Sequence, residues 1–64
     1  MTTAKLANIA EEHTGTITAE DDNSRIRVEF PHRLRAGAFY DDMTSRYIEV
    51  VEYDPDRRFV VVQL

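Results

Sequence analysis

The sequence predicts an α+β fold: a compact single domain over residues 1–64, with an antiparallel sheet of about four strands and one or two packed helices. The order is αββ(α)ββ. Three observations predict it. Arg46 to Leu64 reads RYIEVVEYDPDRRFVVVQL, two runs rich in Val, Ile, Tyr and Phe around a short polar turn. Thr16 to Phe30 repeats that arrangement more weakly around Asp21, Asp22 and Asn23. The segment AKLANIAEEH, in contrast, spaces its apolar residues for a helix.

In the first helix Leu6, Ile9, Ala10 and His13 follow i, i+3, i+4, i+7 spacing, which gives one apolar stripe. Thr2 or Thr3 suits its N-cap, and Gly15 stands where a helix ends in a left-handed turn. Lys5, Asn8, Glu11 and Glu12 lie on the other side. Both glutamates fall in the last turn, where the helix dipole disfavours negative charge by about 0.3–1 kcal/mol each.

In the first hairpin Ile17 and Ala19 are expected on one face of Thr16 to Glu20. Arg25 to Phe30 alternates cleanly, so Ile26, Val28 and Phe30 face a core while Arg25, Arg27 and Glu29 face out. Thr18 and Glu20 are then placed across from the arginines.

Pro31 to Ser45 carries Ala36, Phe39, Tyr40 and Met43 at helical spacing, and Pro31 suits a first helical position. Gly37 and the charge order oppose a helix, since His32, Arg33 and Arg35 come early and Asp41 and Asp42 late. The expectation is a short helix from about Pro31 to Tyr40, with an irregular loop as the alternative.

In the last hairpin Asp54, Pro55 and Asp56 suit successive positions of a type I turn. A four-residue loop sets Tyr53 opposite Arg58, Val51 opposite Val60 and Ile48 opposite Gln63. One face then carries Tyr47, Val51, Tyr53, Val60, Val62 and Leu64, and the other Ile48, Val50, Phe59 and Val61. Both faces are apolar, so the hairpin is expected to be covered twice, by helices, by another chain or by a partner.

Sixty-four residues without cysteine leave no disulfide framework and no Cys-based zinc site, which fits a reducing, cytoplasmic setting. No stretch has the basic flank and apolar run of a signal peptide, and no apolar run reaches membrane-spanning length, so no membrane partner is expected. Twelve acidic against eight basic residues give a net charge of -4. That balance opposes nonspecific nucleic-acid binding and favours a basic partner surface.

Tracing αββαββ in space brings Glu20, Asp21, Asp22, Asp41 and Asp42 to one end of the sheet if residues 31–45 form a returning helix. Glu11, Glu12, Asp54 and Asp56 then gather at the other. Carboxylates so grouped can bind a divalent cation, supply acid and base groups, or imitate spaced phosphates. No EF-hand-like spacing supports a metal, and no nucleophile motif or room for an enclosing pocket supports an enzyme, so neither a cofactor nor catalysis is expected. His13 and His32 have no second histidine at ligand spacing and read as structural.

In its size, its acidity and the acidic sets Glu20–Asp22 and Asp41–Asp42, the chain resembles the small acidic inhibitors of phages and mobile elements, the anti-CRISPR proteins and antirestriction DNA mimics. The resemblance implies a stoichiometric inhibitor that fills the nucleic-acid groove of a defence or nucleic-acid-processing protein. The leading expectation is therefore a noncatalytic protein that binds a basic protein surface through Glu20, Asp21, Asp22, Asp41 and Asp42. Two alternatives stand beside it: a structural or homodimeric protein using the doubly apolar hairpin, and a β-ribbon nucleic-acid binder using Arg25 and Arg27.

Overall fold

The computed structural model describes all 64 residues. Helix α1 (Thr3–Glu12) precedes strands β1 (Thr16–Glu20) and β2 (Arg25–Glu29), and helix α2 (Arg33–Ser45) precedes β3 (Glu49–Asp54) and β4 (Phe59–Gln63). The four strands form one antiparallel sheet in the order β1-β2-β4-β3. The second hairpin thus docks through β4, its more apolar run, and leaves β1 and β3 as edges.

Cross-strand partners Ile26–Val62 and Val28–Val60 put four apolar side chains on one face. Leu6, Ile9 and Ala10 of α1 and Ala36, Phe39 and Met43 of α2 join them, with Phe30, in a single buried cluster. Both helices therefore lie on that face. Phe39 is fully buried at the centre, its ring 5.1 Å from that of Phe30 and edge-on to His13 at 5.9 Å. Each large side chain so buried contributes about 1.5–3 kcal/mol. Only 12 of 64 residues are buried, so the loss of any one of them is felt throughout the domain.

Two bulges change the expected registers. In β1 the register shifts between Ile17 and Ala19, which pairs Ala19 with Arg27 and Glu20 with Ile26. Ile17 and Ala19 therefore point to opposite faces, and Glu20 turns towards α1, where Thr3 Oγ1 approaches it at 3.5 Å. In β3 the shift falls between Val50 and Glu52. Tyr53 pairs with Val60 rather than Arg58, Val50 with Val62, and Glu49 rather than Ile48 with Gln63. The extra residue moves Val50 to the core face and leaves Val51 exposed.

Within the chain itself this hairpin is covered by helices on one face only. One face of the sheet carries both helices. On the other, the Arg27 guanidinium lies 3.8 Å from the centre of the Phe59 ring, and Phe59 is only 3% exposed. A long cationic side chain laid over an aromatic ring thus shields that ring from water.

Helix α2 is longer than expected and starts later. Its N-cap is His32, whose Nδ1 accepts from the Leu34 amide at 3.1 Å, and it runs on to Ser45 instead of stopping near Tyr40. Gly37 sits inside it because the Tyr53 hydroxyl approaches there: a Cβ at Gly37 would stand 3.2 Å from Tyr53 Oη. Both helices end alike. The amides of Gly15 and Ile48 return to the carbonyls of Ala10 and Met43, and those of Thr14 and Tyr47 to Glu11 and Thr44. The left-handed residue in these motifs is Thr14 (φ 62) or Tyr47 (φ 59). Gly15, expected to take that role, has no positive φ; it is needed because the Phe30 ring packs where a Cβ would go.

Candidate functional site

The acidic residues take distinct positions. Asp21 closes the β1–β2 turn: its Oδ1 accepts from the amides of Asn23 at 2.9 Å and Arg25 at 3.0 Å. Its neighbour Asp22 is exposed and makes no side-chain hydrogen bond or ion pair. Glu20 lies beside Thr3 at the start of α1. Asp42 is bound at the other end of that helix, its Oδ2 2.8 Å from His13 Nε2 and its Oδ1 2.6 Å from Arg46 Nε. The Arg46 hydrogen bond, and after it the one from His13, holds the Asp42 carboxyl below the usual Asp value. Asp41 is exposed on the outer side of α2, next to Tyr53 and Pro55.

The five carboxylates therefore do not meet in one patch. Glu20 and Asp42 touch opposite ends of α1, and ten helical residues rise about 15 Å. The expectation of one acidic end failed because α2, although a helix, leans its last turns towards the C-cap of α1. His13, read only as a structural residue, is what anchors it there.

Ion pairing between the basic side chains and these acids is sparse. Ion pairs reach Asp42 from Arg46, Glu29 from Arg27 at 3.5 Å, and Asp54 from Arg57 at 3.9 Å, while His13 lies within hydrogen-bond distance of Asp42. No other carboxylate has a cationic side chain within salt-bridge distance. Arg25 is turned instead to Gln63, with Nε 3.2 Å from Oε1. Glu29 is held below the usual Glu value first by a hydrogen bond with the Thr18 side chain, and also by Arg27.

Two open recesses adjoin α2. The larger, about 530 Å³, runs between α2 and the end of β3 and is lined by Arg33, Leu34, Gly37, Ala38, Asp41, Tyr53 and Pro55. Tyr53 stacks on Tyr40 there at 4.4 Å, with the rings 12° from parallel. The smaller, about 190 Å³, is lined by Pro31, His32, Arg33, Pro55, Asp56 and Arg58. Nowhere do three His, Asp or Glu side chains converge as ligands for a metal ion. No helix is long and apolar enough to cross a membrane.

Exposed Leu34 (71%) and Tyr47 (98%) were not singled out as candidates from sequence. Leu34 falls just off the buried stripe of α2, and Tyr47 lies within an aromatic-rich run that reads as strand. The fold and its surface define an α+β domain with both helices on one face of a four-stranded antiparallel sheet and unpaired carboxylates spread around it. No family model matches the chain, and neither curated proteins nor solved structures give a significant match.

Proposed function

We propose that this chain is a noncatalytic binding protein whose exposed carboxylates engage a basic surface on a protein partner, as a nucleic-acid mimic that inhibits a nucleic-acid-processing complex. One observation carries this reading. Of twelve acidic residues, only Glu29, Asp42 and Asp54 have a cationic side chain of the chain itself within reach. The rest present a negative field that complements arginines and lysines placed to hold phosphate. Among the five carboxylates expected at the contact, Glu20, Asp22 and Asp41 are free to reach a partner, while Asp21 and Asp42 shape the turn and the helix that carry them.

The test is capture of binding proteins by tagged protein from extract with and without nuclease treatment over a salt series, repeated with the triple variant Glu20→Lys, Asp22→Lys, Asp41→Lys. A nucleic-acid-processing protein that is retained after nuclease, released by salt and lost with the triple variant supports the reading. Capture that survives charge reversal removes these residues from the contact. Capture that needs intact nucleic acid points to direct binding through Arg25 and Arg27.

A further inference from the structure

The sheet face turned away from the helices carries charge in a regular order that follows from strand register. Along β4 its outward residues are Gln63, Val61 and Phe59. Gln63 is flanked by Arg25 on β2 and Glu49 on β3, Val61 by Arg27 and Glu52, and Phe59 by Glu29 and Asp54. One side of the central strand thus begins with two arginines and the other with two glutamates at the same heights. Arg25, Glu49 and Glu52 are exposed, and none of the three is in an ion pair.

We propose that this face binds a second copy of the chain, face to face, about a two-fold axis that runs parallel to β4 and above it. That rotation exchanges the β2 side for the β3 side without changing height. Arg25 of one copy then stands over Glu49 of the other, and Arg27 over Glu52, each pair occurring twice as an isologous contact requires. Stacked sheets lie about 10 Å apart, a gap that Arg and Glu side chains together can bridge. The Val61 side chains meet on the axis. The other simple two-fold, perpendicular to the strands, sets Arg27 over Arg27 and Glu52 over Glu52, so the charge order selects the first. In the third row Glu29 stands over Asp54 of the second copy, a like-charge contact that Arg57, 3.9 Å from Asp54, partly offsets.

The size of the face sets the strength of the association. Because the axis lies over β4, only β2, β4 and β3 overlap between the copies, and three strands of about five residues cover about 14 by 17 Å, or about 240 Å² in projection per copy. That is well under the roughly 800 Å² per partner of a standard stable interface. The dimer is therefore transient, forms at high protein concentration and weakens with salt, because it rests on charge pairs rather than on a large apolar area. Its surface is separate from Glu20, Asp22 and Asp41, so the partner reading above can fail without touching it.

The test is sedimentation equilibrium up to about 1 mM protein, at low and high salt, on the wild type and two charge reversals, Arg25→Glu and Glu49→Arg. The wild type is expected to self-associate, about tenfold more weakly in 0.5 M than in 0.05 M salt. Each variant alone sets like charges over one another at both contacts and is expected to self-associate about tenfold less. Their equimolar mixture restores both contacts. In the mixed dimer the glutamate introduced in one variant stands over the arginine introduced in the other, and the Glu49 that the first retains stands over the Arg25 that the second retains. The mixture is therefore expected to associate much more strongly than either variant alone. Recovery in the mixture also shows that both variants are folded. A wild type that stays monomeric, a dimer indifferent to salt, or a mixture no stronger than its components overturns the proposal.

Discussion

His13 Nε2 lies 2.8 Å from Asp42 Oδ2, which ties the C-cap of α1 to the last turns of α2 across a separation of 29 residues. Arg46 Nε, 2.6 Å from Oδ1, completes the cluster. Because these hydrogen bonds favour the charged carboxylate, its folded pKa lies below the ordinary 3.8. The stability this gives is fully present above the unfolded value and is lost as pH falls through the folded one. Asp42→Asn is expected to cost about 1–2 kcal/mol at neutral pH. The cost should shrink as pH falls below about 4, where the wild-type carboxylate also becomes neutral. Urea unfolding from pH 7 to pH 2 checks this; a cost that stays constant over that range contradicts it.

Arg27 covers Phe59, and the relative weight of charge and cover can be measured. Arg27→Ala removes both, uncovers an aromatic ring that is now 3% exposed, and is expected to cost about 1 kcal/mol or somewhat more. Arg27→Met keeps an unbranched apolar stem over the ring without the cation, so it should recover about half of that loss. Urea midpoints of the three proteins decide the matter. Equal loss in both variants assigns the whole effect to the cation, and no loss in either shows that the ring needs no cover.

Much of this architecture was legible because it depends on local repetition. Ile26, Val28 and Phe30 alternate without interruption, and Leu6, Ile9 and Ala10 mark one helical stripe, so both elements and their inward faces follow from spacing. A bulge leaves no such mark. Val50 and Val51 are the same residue type, and only the ladder shows that one packs inward while the other is exposed. The length of α2 was hidden for a different reason. Asp41 and Asp42 oppose its C-terminal dipole, and the partner that makes Asp42 tolerable is His13 on another helix. The acidic residues themselves were evident, but their grouping was not. It depends on how α2 leans against α1, a tertiary relation that composition does not carry.

Gly15 carries a separate expectation. It has no positive φ, so alanine meets no backbone penalty there. Its new Cβ would stand 2.9 Å from Phe30 Cζ and closer still to Cε1, inside the limit of real contacts. Phe30 is buried against Phe39, so its ring has little room to retreat. Gly15→Ala is expected to cost about 1–3 kcal/mol, the usual range for overpacking. The double variant Gly15→Ala, Phe30→Leu should cost less than the two single changes added together, because the shorter side chain vacates the contested space. Strict additivity in a double-mutant cycle places the strain elsewhere.

Tyr47 offers the opposite expectation, a surface change that stabilises. It occupies the left-handed position after α2 with φ 59, and its side chain is 98% exposed. Any L-residue with a Cβ is strained there by about 1–2 kcal/mol, whereas glycine is not. The amides of Tyr47 and Ile48 close the helix through backbone hydrogen bonds to Thr44 and Met43, which do not depend on the tyrosine ring. Relief of strain is partly offset by the greater freedom of glycine in the unfolded chain. Tyr47→Gly is therefore expected to raise stability by about 0.5–1 kcal/mol, whereas Tyr47→Ala, which keeps the Cβ, should change it little. For a chain of this size 1 kcal/mol moves the melting midpoint by several degrees, about 4–8 °C, well within the resolution of a thermal melt. If Tyr47→Gly melts lower than the wild type while Tyr47→Ala does not, the backbone strain at this helix end is not the controlling term.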